Sequence, residues 1–176
     1  AYFLAKYRAK LSTLWNIKHV DDLIFYGALG AVLGGRLGYL IFYNFSIFIS
    51  NPLTFFNFQN GGMSFHGGFI GVLIAMLVFN KKYEFSFFQT TDFIAPLVPL
   101  GLGLGRLGNY INGELWGRVT ESSWGGLAPD QSGLWEQRFP TQLYEAFLEG
   151  LLLFIILWMF SKKNPPLFAT SALFLI

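Results

Sequence analysis

An all-α membrane protein is predicted: a polytopic bundle of transmembrane helices with glycine-rich packing faces and a small exoplasmic loop region. Three observations predict it. Of 176 residues, 53% are hydrophobic and only 12% charged, about half the charge of a soluble globular domain. A water-exposed globule of this size needs more polar surface than that. Long apolar runs also recur, each near the roughly 17–25 residues that carry a helix across about 30 Å of hydrocarbon. Finally, those runs lack the polar–apolar alternation of barrel strands. In lipid the backbone must satisfy its own hydrogen bonds, so they read as helices.

The opening AYFLAKYRAK reads as the end of an earlier span. Full spans are expected over 23–45, 63–79, 93–111 and 143–160. A polar, tryptophan-bearing loop is expected over 119–141, suited to an interfacial cap rather than a domain. The closing LFATSALFLI reads as the start of another span. Residues 1–176 are therefore expected to form one transmembrane domain of a longer protein, with further residues at both ends.

Charge gives the orientation. Lys6, Arg8, Lys10 and Lys18 precede the first full span, Lys81 and Lys82 follow the second, and Lys162 and Lys163 follow the fourth. An even number of crossings separates each group from the next, so all lie on one side, which the positive-inside rule makes cytoplasmic. His66 then opens the second span from the outer side, and NYINGELWGR is delivered to that side by the third. The basic residues form no broad stripe, so a nucleic-acid partner is not expected. Absence of cysteine excludes disulfides, a thiolate nucleophile and cysteine-based metal sites within the chain.

Glycines punctuate the spans. Gly30, Gly34 and Gly38 stand four apart with Gly27 near the same face; Gly67 and Gly71, and Gly101 and Gly105, repeat the spacing. Small residues on one stripe let helix backbones approach where lipid supplies no hydrophobic drive. Pro96 and Pro99 predict a bend or broken turn in the third span.

Arg36, His66, Arg106, Asn109, Asn112 and Glu114 are the polar residues least expected in such a chain. An arginine at membrane depth costs about 2.5–3.5 kcal/mol on insertion scales, so it faces a bundle interior, a partner or a bound anion. At about 100° per residue, Arg106, Asn109 and Gly113 share a face, and Glu114 joins its broad edge if the helix continues. Arg106 could pair structurally with Glu114. It could also grip a lipid phosphate, because the guanidinium fork suits phosphate oxygens and would stabilise charge developing on a phosphate leaving group. His66, flanked by glycines in GGMSFHGG, is the natural base for removing a proton from a nucleophile. A core histidine bonded to a carbonyl is the structural alternative. His19 sits in a basic stretch and attracts no functional reading. Metal ligation by Glu114, Glu145 and Glu149 lacks a recognisable spacing. Glu145 and Glu149 could neutralise Arg118 or Arg138, position Arg106, or meet ligand hydroxyls, with Tyr144 beside them. Residues alone leave an enzyme, a transporter and an assembly subunit open.

GGRLGYLIFYN at 34–44, GGMSFHGGFIG at 61–71, GRLGNYINGELWGR at 105–118 and PTQLYEAFLEG at 140–150 together resemble the bacterial prolipoprotein diacylglyceryl transferase family. The blocks occur in the family's order and the similarity covers nearly the whole chain. The resemblance implies a seven-helix, multi-pass enzyme of the bacterial inner (cytoplasmic) membrane whose active site faces the exoplasmic side. It implies transfer of the diacylglyceryl group of phosphatidylglycerol to the lipobox cysteine of a prolipoprotein, with release of glycerol phosphate. Its partners are then phosphatidylglycerol, the prolipoprotein signal peptide and membrane lipids, with no metal or organic cofactor. It implicates His66 and Arg106 as essential, Asn109 and Glu114 with them, and Arg118 and Tyr144 less strongly, Tyr144 as a catalytic candidate and Asn109, Glu114 and Arg118 as substrate-binding candidates beside Arg106; Asn112, from the residues themselves, is carried as a further substrate-binding candidate. Arg36 matches a family arginine of structural or lipid-contacting role and is carried as a further substrate-binding candidate. The family's opening segment with its Tyr-Gly pair would precede Ala1. Its closing helix, with a further required arginine, would follow Ile176.

Overall fold

A computed structural model describes residues 1–59, 61–129 and 133–175. Helix dominates, and the strands among those residues are two: β1 (Gly126–Pro129) and β2 (Trp135–Arg138), paired antiparallel with Gly126 opposite Arg138. The expected 119–141 loop thus contains a hairpin that sequence reading did not anticipate; residues 130–132 lie outside the described residues, as does Ile176 of the closing run. By compactness the chain falls into two units, one of residues 5–90 and one of residues 1–4 and 91–176.

Among the described residues, three helical segments are long and apolar enough to cross a membrane: Ile17–Tyr43, Phe87–Ile111 and Thr141–Ser161. They correspond to three of the four expected spans. The remaining span, 63–79, falls largely in α4 (Phe65–Tyr83), which starts two residues later and is capped by Ser64; its termini carry His66, Asn80, Lys81 and Lys82 and so dilute its apolar stretch. Phe25, Phe42 and Phe69 on these helices are exposed, the inverse of a soluble fold's economy and suited to lipid.

In the 5–90 unit, α1 (Tyr2–Leu11) leads to α2 (Ile17–Tyr43). Asn16 caps α2: its Oδ1 accepts the His19 N–H at 2.8 Å, while His19 Nδ1 accepts the Asn16 N–H at 3.3 Å. This reciprocal cap is the role of the histidine to which the sequence attached no function. Trp15 stacks on Phe85 with ring centroids 4.5 Å apart and on buried Phe79 at 5.9 Å. Asp22 accepts from Lys82 at 2.9 Å and from the Tyr83 hydroxyl, and that carboxylate raises the pKa of the Lys82 ammonium.

Helices α2 and α4 meet along the expected glycine stripe. A Cβ on Gly34 would stand 2.8 Å from the Gly71 Cα, and one on Gly38 would stand 2.7 Å from the Gly67 Cα. Neither distance is tolerable for carbon, so backbone packs directly on backbone. Gly27, placed near the same face by sequence, meets nothing within 4 Å.

The other unit takes up the chain at Thr91, within α5 (Phe87–Ile94), which runs through a 3₁₀ turn (Ala95–Leu97) into α6 (Val98–Ile111). The turn contains Pro96, and Pro99 follows in the first turn of α6, a break in the expected place, because a proline cannot donate to the helical ladder. After the hairpin, α7 (Thr141–Glu145) continues as a π-helical segment (Ala146–Leu152) and then α8 (Leu153–Ser161). Gly103 and Gly150 let α6 and the π-helical segment touch: a Cβ on Gly150 would lie 2.6 Å from the Gly103 Cα. Gly101 and Gly105, expected to repeat the close-packing pattern, face open space among the described residues. Asp92 then ties α9 (Ala169–Leu175), accepting the backbone N–H of Ser171 at 2.8 Å and its hydroxyl at 2.6 Å. That carboxylate escaped sequence reading, although its place at the edge of an apolar run was a signal.

Candidate active site

Arg36 lies on α2, only 3% exposed. Its Nε donates to the Phe55 carbonyl at 3.2 Å, Nη2 to Thr54 at 2.8 Å and Asn57 at 2.6 Å, and Nη1 to Gly62 at 3.1 Å and to Gly61. Five N–H donors meet five carbonyls, which is the guanidinium's full capacity. The rings of Tyr39 and Phe58 each lie 5.7 Å from its Cζ. The substrate-binding role carried from the sequence has no donor left to serve it; Arg36 instead fastens the chain between α3 (Phe45–Ser50) and α4. Gly61 and Gly62, at φ +69° and +84°, turn that segment through backbone space that favours glycine.

The turn delivers Ser64, whose N–H donates to the Gly35 carbonyl at 2.8 Å and whose Oγ accepts the Gly67 N–H at 3.3 Å, capping α4. His66 follows in the first turn of α4. It is exposed, edge-on to the Phe65 ring at 5.7 Å, and has no hydrogen-bond partner among the described residues. The structural alternative of a histidine bonded to a carbonyl is therefore not what is observed.

Arg106 lies on α6, and its partner is not Glu114. Its Nε stands 3.0 Å from Glu145 Oε2 and its Nη2 3.6 Å from Glu149 Oε2. The three side chains remain 32%, 37% and 46% exposed, respectively. Helix α6 ends at Ile111 with Asn112 as its cap, so the polar seam extends from Arg106 to Asn109 and stops there. Beyond it Gly113 adopts φ +72° and Leu115 φ +60°, which carries Glu114 off the helical face. Arg138, another cation that Glu145 or Glu149 could have served, pairs with Glu136 at 2.7 Å.

The segment holding Asn112, Glu114 and Arg118 is clasped by the residues that open α7. The Glu114 carbonyl accepts from the Gln142 amide, which is fully buried, and the Leu115 carbonyl accepts from the Thr141 hydroxyl at 3.0 Å. The Gly117 N–H donates to the Phe139 carbonyl at 2.9 Å, and the Phe139 N–H to the Arg118 carbonyl at 3.1 Å. Sequence reading did not single out Gln142, because nothing in its neighbourhood advertises a bridging amide. The side chains of Asn112, Glu114 and Arg118 are exposed, as is Tyr144. Arg106 thus gathers Glu145 and Glu149, whereas Arg118 makes no ion pair among the described residues. Among those residues there is no cluster of three metal-ligating side chains.

The comparisons with known proteins agree with these motifs. The family model described as prolipoprotein diacylglyceryl transferase matches residues 1–176. A phosphatidylglycerol–prolipoprotein diacylglyceryl transferase of Coxiella burnetii (strain RSA 331 / Henzerling II) is 55% identical, covering 100% of this chain and 67% of that protein. One of Acinetobacter baumannii (strain SDF) is 56% identical, covering 100% and 65%, respectively. The chain spans about two thirds of the length of these relatives. It belongs to the prolipoprotein diacylglyceryl transferase family.

Proposed function

We infer that the protein containing this chain transfers the diacylglyceryl group of phosphatidylglycerol to the lipobox cysteine of a prolipoprotein. The family supplies the reaction class, and the observation that carries the site is the Arg106 guanidinium, which stays 32% exposed beside its two carboxylates. A phosphate can reach its planar fork, which binds it through charge-assisted bonds.

The acceptor cysteine comes from the peptide, in keeping with a chain that has none. His66 takes the thiol proton, and the resulting thiolate is a strong nucleophile. Its sulfur attacks the diacylglycerol carbon that bears the phosphate. One C–S bond forms, one C–O bond breaks, and glycerol phosphate leaves with the bonding pair. Arg106 stabilises the charge that appears on that departing oxygen. Asn109, Asn112, Glu114 and Arg118 offer amide and charged groups to the headgroup and peptide, and Tyr144 a hydroxyl beside Glu145. Arg36 acts at a distance, by holding the segment that leads to Ser64 and His66. The displacement balances without an oxidant, a reductant or a metal.

The protein is placed in the bacterial inner membrane, with this chemistry toward the exoplasmic side. The distribution of lysines supports that orientation. The test is incubation of the full protein with labelled phosphatidylglycerol and a lipobox peptide. Label in a peptide thioether with equimolar glycerol phosphate is the expected result. Lipid moved between leaflets with no covalent change would overturn the reading in favour of a transporter.

A further inference from the structure

The Arg106 site carries one more carboxylate than its cation requires. One guanidinium faces two glutamates, giving the cluster a formal charge of −1. Like charges four residues apart on a helix repel, so a single partner would be the more economical structural solution. A net negative cluster also repels a phosphate. An anion can take the guanidinium only if one carboxylate gives way.

The two carboxylates are not equivalent. Glu145 stands 3.0 Å from Nε and is the less exposed, at 37%. Glu149 stands 3.6 Å from Nη2, beyond ordinary N–H···O hydrogen-bonding distance, and is 46% exposed. Glu145 ends α7, whereas Glu149 sits within the π-helical segment, a geometry frequent at functional sites. The Gly103–Gly150 contact holds this segment against α6, so Glu149 withdraws by side-chain rotation alone and the helices need not separate.

We propose that Glu145 and Glu149 are unequal positioning residues for Arg106: Glu145 braces the guanidinium through Nε, and Glu149 is a stand-in anion that the phosphate of the lipid displaces from the Nη2 end. This rests on the reading of Arg106 as the phosphate-binding group. Glu149 sets how readily an anionic headgroup enters, and Glu145 sets how well the guanidinium is aimed when the C–O bond breaks.

The test measures kcat and KM for phosphatidylglycerol in the full protein, with a saturating lipobox peptide, for Glu149→Gln, Glu145→Gln and Arg106→Ala. Glu149→Gln, which removes the competing charge, is expected to lower KM about three- to tenfold. Glu145→Gln is expected to lower kcat about tenfold or more with a smaller change in KM. A merely structural role would depress both variants in the same sense. An unchanged or raised KM in Glu149→Gln overturns the inference. Should Glu145→Gln fail to fold, Glu145→Asp keeps the charge but shortens the brace, and kcat must still fall. Arg106→Ala separates the two levels. If it loses more than 100-fold in turnover while Glu149→Gln leaves KM unaltered, only the displacement fails. If it turns over like the parent, the phosphate reading fails with it.

Discussion

Arg106 and Glu145, 39 residues apart in sequence, form an ion pair of 3.0 Å. The guanidinium is compensated but not enclosed, because it and both its carboxylates remain about one-third to one-half exposed. A sealed salt bridge at this point would argue for a structural arginine. A partly open one, beside glycines that meet no neighbour, suits a cation that exchanges partners. Surface pairs of this kind contribute about 0–1 kcal/mol, so their purpose is better sought in chemistry than in stability.

Replacing Arg106 with Lys keeps the charge and removes the bidentate fork. Transfer should fall by roughly 10²-fold, within the range for losing one stabiliser of a developing oxyanion, with kcat affected more than KM. Steady-state kinetics with the lipobox peptide checks this. Near-parental kcat in a well-folded variant would remove Arg106 from the transition state.

His66→Gln should lower kcat by about 10²–10⁴-fold, the usual contribution of a positioned base. The deficit should shrink as pH rises through the free thiol range near about 8.5, because solvent then supplies the thiolate that His66 otherwise generates. A deficit independent of pH throughout would instead mark His66 as a headgroup-orienting residue.

Arg36→Met should prevent accumulation of folded protein or leave the 51–62 segment open to protease. The substitution strands five carbonyls that the guanidinium now satisfies, and an acceptor that loses its partner costs about 1–3 kcal/mol where water does not replace it. Limited proteolysis of the purified variant is the measurement. Resistance equal to the parent would contradict the role assigned to Arg36.

Gly34→Leu and Gly105→Ala should part company in thermal melts. The first drives a side chain into the Gly71 backbone and should destabilise the fold by at least about 1–3 kcal/mol, as overpacking does. The second adds a methyl where nothing stands within 4 Å and should leave the melting temperature level or raise it slightly, since alanine favours helix by about 1 kcal/mol over glycine.

Periodicity and composition determined the parts governed by solvent. The all-helical class, the approximate spans, the broken turn at Pro96 and the glycine stripe at 30, 34 and 38 were all legible, because each reflects a local rule about lipid, proline or backbone approach. The hydrophobic run at 63–79 was legible as helix too, though its polar ends set it apart from the three most apolar segments. Partner choice was not legible. Arg106 might have met Glu114 on a continuing helix; the left-handed backbone at Gly113 and Leu115 removed that option, and the Gly103–Gly150 contact supplied Glu145 and Glu149 instead. For Arg36 the sequence left a structural role and a lipid contact both open; the fold wraps the carbonyls of 54, 55, 57, 61 and 62 around it. Which donor meets which acceptor depends on chain segments far apart in sequence, and only the packed backbone decides that.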